Sequence, residues 1–132
     1  MARILVIDDD PTIRSLCTLA LSNRGHEVTT APDGRDGVAL VGQRSFDLVV
    51  TDLVMPEQEG ISTIRSIRER ARDLPILAIS GSMAGEQRGG VDYLKLAMSL
   101  GAQASLRKPF SPRQLSSAVE ALLGSPPLPP AA

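Results

Sequence analysis

The sequence predicts an α/β fold in which one doubly wound sheet of five parallel strands is covered by helices on both faces. Short apolar runs alternate along the chain with segments whose apolar residues recur at helical spacing, and five such strand–helix pairs follow one another. Three of the runs are almost continuous Val, Ile and Leu, which is typical of parallel strands buried on both faces. Right-handed crossover connections follow from the chirality of such units.

The five predicted strands are the short apolar runs themselves. They are Arg3–Ile7, Glu27–Ala31 and residues 46–51, 74–79 and 103–107. The first, third and fourth are the almost continuously apolar runs, so these three are expected to be covered on both faces.

Each predicted helix carries one apolar stripe. The clearest stripe is Ile13, Leu16, Cys17, Ala20 and Leu21, at positions i, i+3, i+4, i+7 and i+8. The other helical segments are residues 33–43 with Gly34 and Gly37 inside, then the stripes Ile61, Ile64 and Ile67, Leu94, Ala97 and Met98, and Leu115, Ala118, Val119 and Leu122.

Polar residues and glycines complete the helical pattern. The residues expected on the solvent side of the third helix are Arg65, Arg68, Glu69 and Arg70. Gly25, Gly101 and Gly124 each follow an apolar stripe, where a residue with a left-handed backbone favours helix termination.

Two segments lie outside this alternation. Residues 81–90, which contain four glycines, form a predicted loop that is longer than most connections in compact domains. Residues 124–132 contain four prolines and are predicted to form a disordered tail after a single domain over residues 1–123.

Composition excludes several functional classes. The net charge is −1, so the chain lacks the basic excess that a nucleic-acid or anionic-membrane partner requires. The single cysteine, Cys17, excludes an internal disulfide and is expected to pack as a small apolar residue. No apolar run approaches the roughly 20 residues of a membrane span, and the first run meets Asp8 too soon for a signal peptide. A soluble, cytoplasmic protein is expected, with its single histidine, His26, in a turn.

Polar side chains gather where the predicted strands end. Asp8, Asp9 and Asp10 follow the first strand, and Asp52 follows the third. If these strands are neighbours, Asp8, Asp9 and Asp52 converge at the carboxyl edge of the sheet, where ligands of open α/β sheets bind. Three close carboxylates need raised pKa values or a cation, and Mg²⁺ suits such a set of oxygen ligands.

Two further groups are expected at the same edge. Lys108 ends the fifth strand and would bring a fixed positive charge, and Ser80 follows the fourth strand and would bring a hydroxyl. The alternative interpretation is structural, with the three consecutive aspartates as a helix N-cap cluster and Asp52 as a turn residue. An N-cap role for Asp10 is expected in either case, because Pro11 follows it at the first helical position.

Four motifs in this order resemble the receiver domain of bacterial two-component response regulators. They are the acidic strand end Ile4-Leu5-Val6-Ile7-Asp8-Asp9-Asp10, the segment from Leu48 through Asp52 to Pro56 with Gly60, the triplet Ile79-Ser80-Gly81, and Lys108-Pro109-Phe110. The resemblance covers the chain from Ala2 to Leu123. It implies a flavodoxin-like (βα)₅ fold with strand order 2-1-3-4-5.

The resemblance also implies a role for each site residue. Asp52 would accept a phosphoryl group from a phosphohistidine of a sensor kinase or phosphotransfer protein in a phosphorelay. Asp9, Asp52 and the backbone carbonyl of Val54 would hold Mg²⁺ directly, and Asp8 would act mainly through water. Lys108 and Ser80 would contact the phosphoryl oxygens. The bond between Lys108 and Pro109 is expected to be cis, and Pro56 and Gly60 are interpreted as turn residues.

The implied protein is a signalling module and not an enzyme, since it catalyses only its own phosphorylation and slow dephosphorylation. No output segment follows Leu123, so a stand-alone receiver is expected that signals through a partner protein. The expected contact surface is the helix from Val91 to Leu100, the fifth strand and the last helix, and a homodimer through this surface is one arrangement considered.

Three positions depart from the family pattern. Ser105 stands where a switch aromatic is usual, residues 81–90 are longer than the family norm, and Val54 replaces a frequent polar residue. Phosphorylation is therefore expected to order residues 81–90 and re-seat the following helix. Two other functions stay open: a Mg²⁺-dependent phosphohydrolase, which Val54 disfavours because one such class needs a second Asp there, and a phosphorylation-independent binding module.

Overall fold

The structure, a computed structural model, describes residues 1–53, 59–81, 87–88 and 91–124, with the side chains of 59, 87–88 and 91–94 excepted. In chain order the elements are β1 (Arg3–Ile7), α1 (Pro11–Ser22), β2 (Glu27–Ala31), α2 (Gly34–Gln43), β3 (Leu48–Asp52), α3 (Glu59–Arg70), β4 (Ile76–Ser80), β5 (Gln87–Arg88), β6 (Val91–Asp92), α4 (Tyr93–Ser99), β7 (Ala104–Arg107) and α5 (Pro112–Gly124).

Five strands form one all-parallel sheet in the order β2-β1-β3-β4-β7, so the predicted fold class and the strand order 2-1-3-4-5 are confirmed. The order reverses beside β1, which pairs with β2 on one side and with β3 on the other. The register places Ile7 opposite Thr51, so Asp8 and Asp52 follow neighbouring strand positions at the carboxyl edge. This edge is where ligands of doubly wound sheets bind.

The core forms two apolar layers, one on each face of the sheet. Alternate strand residues such as Leu5, Ile7 and Val49 face the layer that also contains Ile61, Ile64 and Ile67 of α3. Their neighbours face the other layer, whose helical members are Cys17, Ala20 and Leu21 of α1 and Leu115 and Val119 of α5. The double coverage explains the continuous apolar runs, because both sets of alternating side chains are buried. The expected packing of Cys17 is confirmed.

Local capping groups explain where the first two helices begin. The Asp10 carboxylate accepts a 2.9 Å hydrogen bond from the Thr12 amide, and Pro11 occupies the first turn, so the predicted N-cap is confirmed. Asp33 caps α2 in the same way by accepting from the Asp36 amide at 2.8 Å. This cap favours helix in a segment that Gly34 and Gly37 would otherwise weaken.

Several predicted boundaries were wrong by one or two residues. The third strand begins at Leu48 and not at residue 46, and Phe46 instead packs half-buried against the core. The fourth strand begins at Ile76 and not at residue 74, because Pro75 has no N–H to donate to the ladder. The fifth predicted strand loses its first residue, Gln103, whose side chain accepts the Ile76 amide at 2.8 Å.

The segment before α4 also differs from the prediction. Residues 87–88 and 91–92 pair as two short antiparallel strands, β5 and β6, so the helix expected from Val91 begins at Tyr93. Gly25 and Gly101 have φ values of 88° and 116°, which confirms two left-handed caps. Gly124, the third expected cap, is the last residue of α5 and is not left-handed.

Four predictions fall wholly or largely outside the described residues: those for Val54, for Pro56 as a turn residue, for the loop over residues 81–90 and for the proline-rich tail. Among the helices of the described residues, none has the length and apolar character needed to cross a membrane.

Candidate functional site

Three carboxylates meet at the carboxyl edge of the sheet. One oxygen each from Asp8, Asp9 and Asp52 lies within 4.8 Å of the others. Asp8 and Asp52 are buried, whereas Asp9 is exposed. Two carboxylates of the cluster are therefore buried and the third faces solvent, so that an ion or small group can reach the cluster from the side of Asp9.

Lys108 joins the two buried carboxylates. Its ammonium donates a 3.2 Å hydrogen bond to Asp52 Oδ2 and lies 3.3 Å from Asp8 Oδ2. The Lys108 amide donates a 2.9 Å hydrogen bond to the carbonyl of Ser80, which holds the backbone at this position. The bond between Lys108 and Pro109 is cis, as expected. The structure thus brings the carboxylates and the positive charge that the sequence predicted for this edge into direct contact.

The site carries more negative than positive charge. Burial raises the pKa of Asp8 to about 6, and the neighbouring Asp52 charge adds to this increase, while the Asp10 amide and Lys108 oppose it. Burial lowers the pKa of Lys108, but the two carboxylates outweigh burial and the net direction is upward. Three carboxylates and one ammonium leave an excess that a bound cation would neutralise.

The donor set fits a hard divalent ion. Asp8 Oδ2 is buried and makes no hydrogen bond among the described residues, so its contact with Lys108 is an ion pair only. Clustered carboxylate oxygens are the ligands that Mg²⁺ and Ca²⁺ prefer. Asp8, Asp9 and Asp52 could therefore hold a metal, whereas Val54 lies outside the described residues.

Ser80 ends β4, the strand beside Asp52. The register pairs Asp52 with Ile79, so Ser80 lies one residue further towards the carboxyl edge. Its side-chain oxygen is buried and has no hydrogen-bond partner among the described residues. An unpaired buried hydroxyl is costly, and in a native protein such a group calls for a specific explanation, such as a catalytic role or a bound water or ion.

Gly60 shapes the site in a way that the sequence interpretation missed. It is the second residue of α3 and not a turn residue. A Cβ atom there would collide with the Leu53 carbonyl oxygen and lie 2.6 Å from that of Asp52. The absence of a side chain lets α3 begin directly against the backbone that carries Asp52.

Two other residues, Arg14 and His26, acquire roles that periodicity did not indicate. Arg14, one turn into α1, donates a 2.8 Å hydrogen bond to the Asp8 carbonyl. His26 directly follows the turn over residues 23–25 and is buried: it accepts from the Ala2 amide at 3.1 Å and donates to Glu120 at 2.8 Å. A basic residue one turn after the acidic run was the available signal for Arg14.

Arg68 corrects the expectation of a solvent-facing side chain. Its half-buried guanidinium donates to the carbonyls of Ala71, Arg72, Leu74 and Gly101 and to the side chain of Gln103, at 2.7 to 3.2 Å. Burial lowers the pKa of this guanidinium. The network ties the end of α3 to the turn after α4, at the opposite edge of the sheet from the carboxylates.

Comparison with known sequences gives one family. The family model described as "Response regulator receiver domain" matches residues 4–120. The chain is 36% identical to response regulator MprA of Mycolicibacterium vanbaalenii, over 92% of this chain and 50% of the relative. It is 35% identical to the DNA-binding dual master transcriptional regulator RpaA of Synechocystis sp., over 93% of this chain and 49% of the relative. The chain thus spans about half the length of these curated relatives.

Solved structures agree with this assignment. Chemotaxis protein CheY4 of Vibrio cholerae is 29% identical with a TM-score of 0.80, covering 93% of this chain and 99% of that one. A receiver domain protein of Clostridium thermocellum is 33% identical with a TM-score of 0.81, covering 93% and 94% of the two chains. The fold, the acidic edge and these matches together place the chain in the response regulator receiver domain family of two-component signalling systems.

Proposed function

We propose that this receiver domain takes one phosphoryl group on Asp52 from a phosphohistidine of a sensor kinase or histidine phosphotransfer protein. An oxygen of the Asp52 carboxylate would attack phosphorus, the P–N bond would break, and the leaving imidazole would keep the bonding electron pair and take up a proton. The observation that carries the proposal is the 3.2 Å contact of Lys108 with a carboxylate that two further aspartates surround.

Each side chain at the edge has a distinct part in this proposal. Asp52 is buried and held by Lys108, so its attacking oxygen would start from a fixed position. The Lys108 ammonium would pass from the two carboxylates to the arriving phosphoryl oxygens. The Ser80 hydroxyl would donate to the same group, which would satisfy a buried oxygen that lacks a partner among the described residues.

Mg²⁺ belongs to the same proposal. Asp9 and Asp52 would hold it directly with the Val54 carbonyl, and Asp8 would act mainly through water. When bound, the ion would supply positive charge that offsets the charge of the phosphoryl oxygens. Without it, three carboxylates and an incoming phosphoryl group would repel one another across a partly buried site.

The output is proposed to be protein contact and not turnover of a substrate, so the domain acts as a signalling module. The candidate surface is formed by α4, β7 and α5, where Ser105 is exposed on the edge strand and Met98 is 42% exposed. Four further points stay predictions: homodimerisation through this surface, a stand-alone arrangement, a cytoplasmic location and the absence of a nucleic-acid partner. Mass measurement of the protein isolated from its own cells tests the stand-alone arrangement.

The proposed function is tested by incubating the protein with the small donor phosphoramidate, with Mg²⁺ or with a chelator, and measuring intact mass. We expect one phosphoryl group per chain that depends on Mg²⁺. Asp9→Asn should weaken Mg²⁺ binding more than Asp8→Asn, because Asp9 is the proposed direct ligand. No mass increase under any condition, with the protein folded, would favour the phosphorylation-independent binding module instead. Continuous release of phosphate from added phosphomonoesters would favour the phosphohydrolase.

A further inference from the structure

The backbone of β1 continues one residue past its last paired position. The register between β1 and β2 ends at Ile7 and Ala31, after which the Asp8 amide still bonds the Ala31 carbonyl at 3.2 Å. The next donor of this parallel ladder would be the amide of Asp33, but Asp33 is the N-cap residue of α2 and no longer follows the strand. Among the described residues, the Asp8 carbonyl receives no backbone donor.

Arg14 supplies the missing donor. Its Nη1 atom donates to the Asp8 carbonyl oxygen at 2.8 Å, from a half-buried position on the first turns of α1. This contact reaches the backbone carbonyl of Asp8 and not its carboxylate. The role of Arg14 is therefore geometric and separate from that of Lys108, which neutralises the carboxylates.

The hydrogen bonds around Asp8 and Asp10 form one closed set. The Asp10 amide donates to Asp8 Oδ1 at 2.9 Å, and the Arg14 amide donates to the Asp10 carbonyl at 3.1 Å. Together with the guanidinium contact, these bonds fix both peptides that flank Asp9. The exposed Asp9 carboxylate then projects from a held backbone into the acidic cluster.

We propose that Arg14 is a positioning residue of the acidic site, which holds the Asp8 carbonyl so that the carboxylates of Asp8 and Asp9 are presented together to a divalent cation. This inference rests on the proposed function, because it concerns the same metal site. Partners that orient the ligands of a metal typically change its affinity by about 10–100-fold when they are removed.

The sign of the effect separates positioning from charge. A guanidinium near a cation site repels the cation, so removing the charge alone would strengthen Mg²⁺ binding. Removing a group that positions the ligands would weaken it. Arg14→Met deletes charge and donor together, and Arg14→Lys keeps the charge and one donor. Arg24→Met removes an equal charge from the exposed turn that follows α1.

The experiment titrates Mg²⁺ into each folded variant by calorimetry and measures amide exchange of residues 8–10 without metal. We expect Arg14→Met to weaken Mg²⁺ binding about tenfold and to lower amide protection at Asp8 and Asp10, Arg14→Lys to recover most of the affinity, and Arg24→Met to match the parent.

Unchanged or tighter binding by Arg14→Met would overturn the inference. If Arg14→Met does not fold, Arg14→Gln takes its place: weaker Mg²⁺ binding together with lower amide protection at Asp10 would support the inference, and binding equal to or tighter than that of the parent would overturn it. A parent protein that binds no Mg²⁺ would contradict the proposed function, and amide protection would then still test whether Arg14 holds the segment.

Discussion

Lys108 donates a 3.2 Å hydrogen bond to Asp52 although their strands are not neighbours in the sheet. The side chain reaches across the end of β4, whose last residue, Ser80, accepts the Lys108 amide. The same ammonium lies 3.3 Å from Asp8, so a single cation holds two buried carboxylates together. The charge balance at this edge depends on Lys108 whenever no metal is bound.

Removing that cation should destabilise the metal-free protein. Lys108→Met leaves two buried carboxylates without their cation, and the free energy of unfolding at neutral pH should fall by about 2 kcal/mol, below the usual cost of breaking a fully buried pair because Lys108 is partly exposed. Urea unfolding in a chelator measures this change. Lys95→Met, at an exposed position of α4, is the control, and equal losses in the two variants would contradict the role given to Lys108.

Asp8 should make the metal-free protein less stable as pH rises. Its pKa is raised from 3.8 to about 6 in the folded protein, so the folded state holds the proton more tightly than the unfolded chain between these values. Stability from this group is therefore present below about pH 4 and is lost as pH rises through 6. Asp8→Asn should raise the free energy of unfolding by about 2 kcal/mol at pH ~7.5 and change it little at pH ~4.

Denaturant unfolding across this pH range checks the prediction for Asp8. Asp9→Asn removes the same charge from an exposed position and should not raise the free energy of unfolding at neutral pH as Asp8→Asn does. A stability gain that is the same at both ends of the pH range would show that packing, and not the raised pKa, causes the effect.

Gly60 should tolerate no side chain. Gly60→Ala places a Cβ against the Leu53 carbonyl and 2.6 Å from that of Asp52, so α3 must shift. We expect a loss of about 2–3 kcal/mol in the free energy of unfolding, and displaced NMR signals at residues 52 and 53. Gly42→Ala is the matched control, because a Cβ atom at this helical position would have its nearest neighbour at 3.8 Å. Alanine there should raise the free energy of unfolding by up to about 1 kcal/mol. Equal changes in the free energy of unfolding for Gly60→Ala and Gly42→Ala would contradict the close approach of α3 to the Leu53 carbonyl.

Arg68 should stabilise the turn after α4 specifically. Arg68→Ala leaves the carbonyls of Leu74 and Gly101 without this donor and should cost about 1–3 kcal/mol. Amide exchange should accelerate most at Ala102 and Gln103, whose N–H groups bond the ends of α4 and β4. Arg65→Ala, exposed on the same helix, should leave these amides protected, and faster exchange throughout the sheet in place of this local change would contradict the assignment.

Much of the fold could be predicted, because it depends on residues that lie close together in the sequence. β1 has the predicted bounds, because a buried parallel strand needs a continuous apolar run and the flanking residues do not fit. The edge strand β2, whose residues are mixed and mostly not buried, has the predicted bounds as well. The acidic edge was also predictable, since parallel strands end at one edge and Asp8 and Asp52 directly follow paired positions. The strand order came from the motifs and not from periodicity, because alternation alone does not specify which strands are neighbours.

The missed features depend on distant parts of the chain. Arg68 occupies the polar side of an apolar stripe, and its partners Gly101 and Gln103 lie more than 30 residues away in sequence. Gly60 resembles a turn glycine until α3 is packed against the Leu53 carbonyl. The start of β4 was a different kind of error, because Pro75 already indicated that the ladder could not begin there.

The most direct test of the account is the location of the phosphoryl group. After reaction with phosphoramidate and Mg²⁺, borohydride reduction converts an aspartyl phosphate into homoserine, which peptide mass mapping places on a single residue. We expect conversion at Asp52 in the parent protein, none in Asp52→Asn, and strongly reduced conversion in Lys108→Met. Conversion at another carboxylate, or equal labelling of the Asp52→Asn variant, would contradict the assignment of Asp52 as the phosphoacceptor.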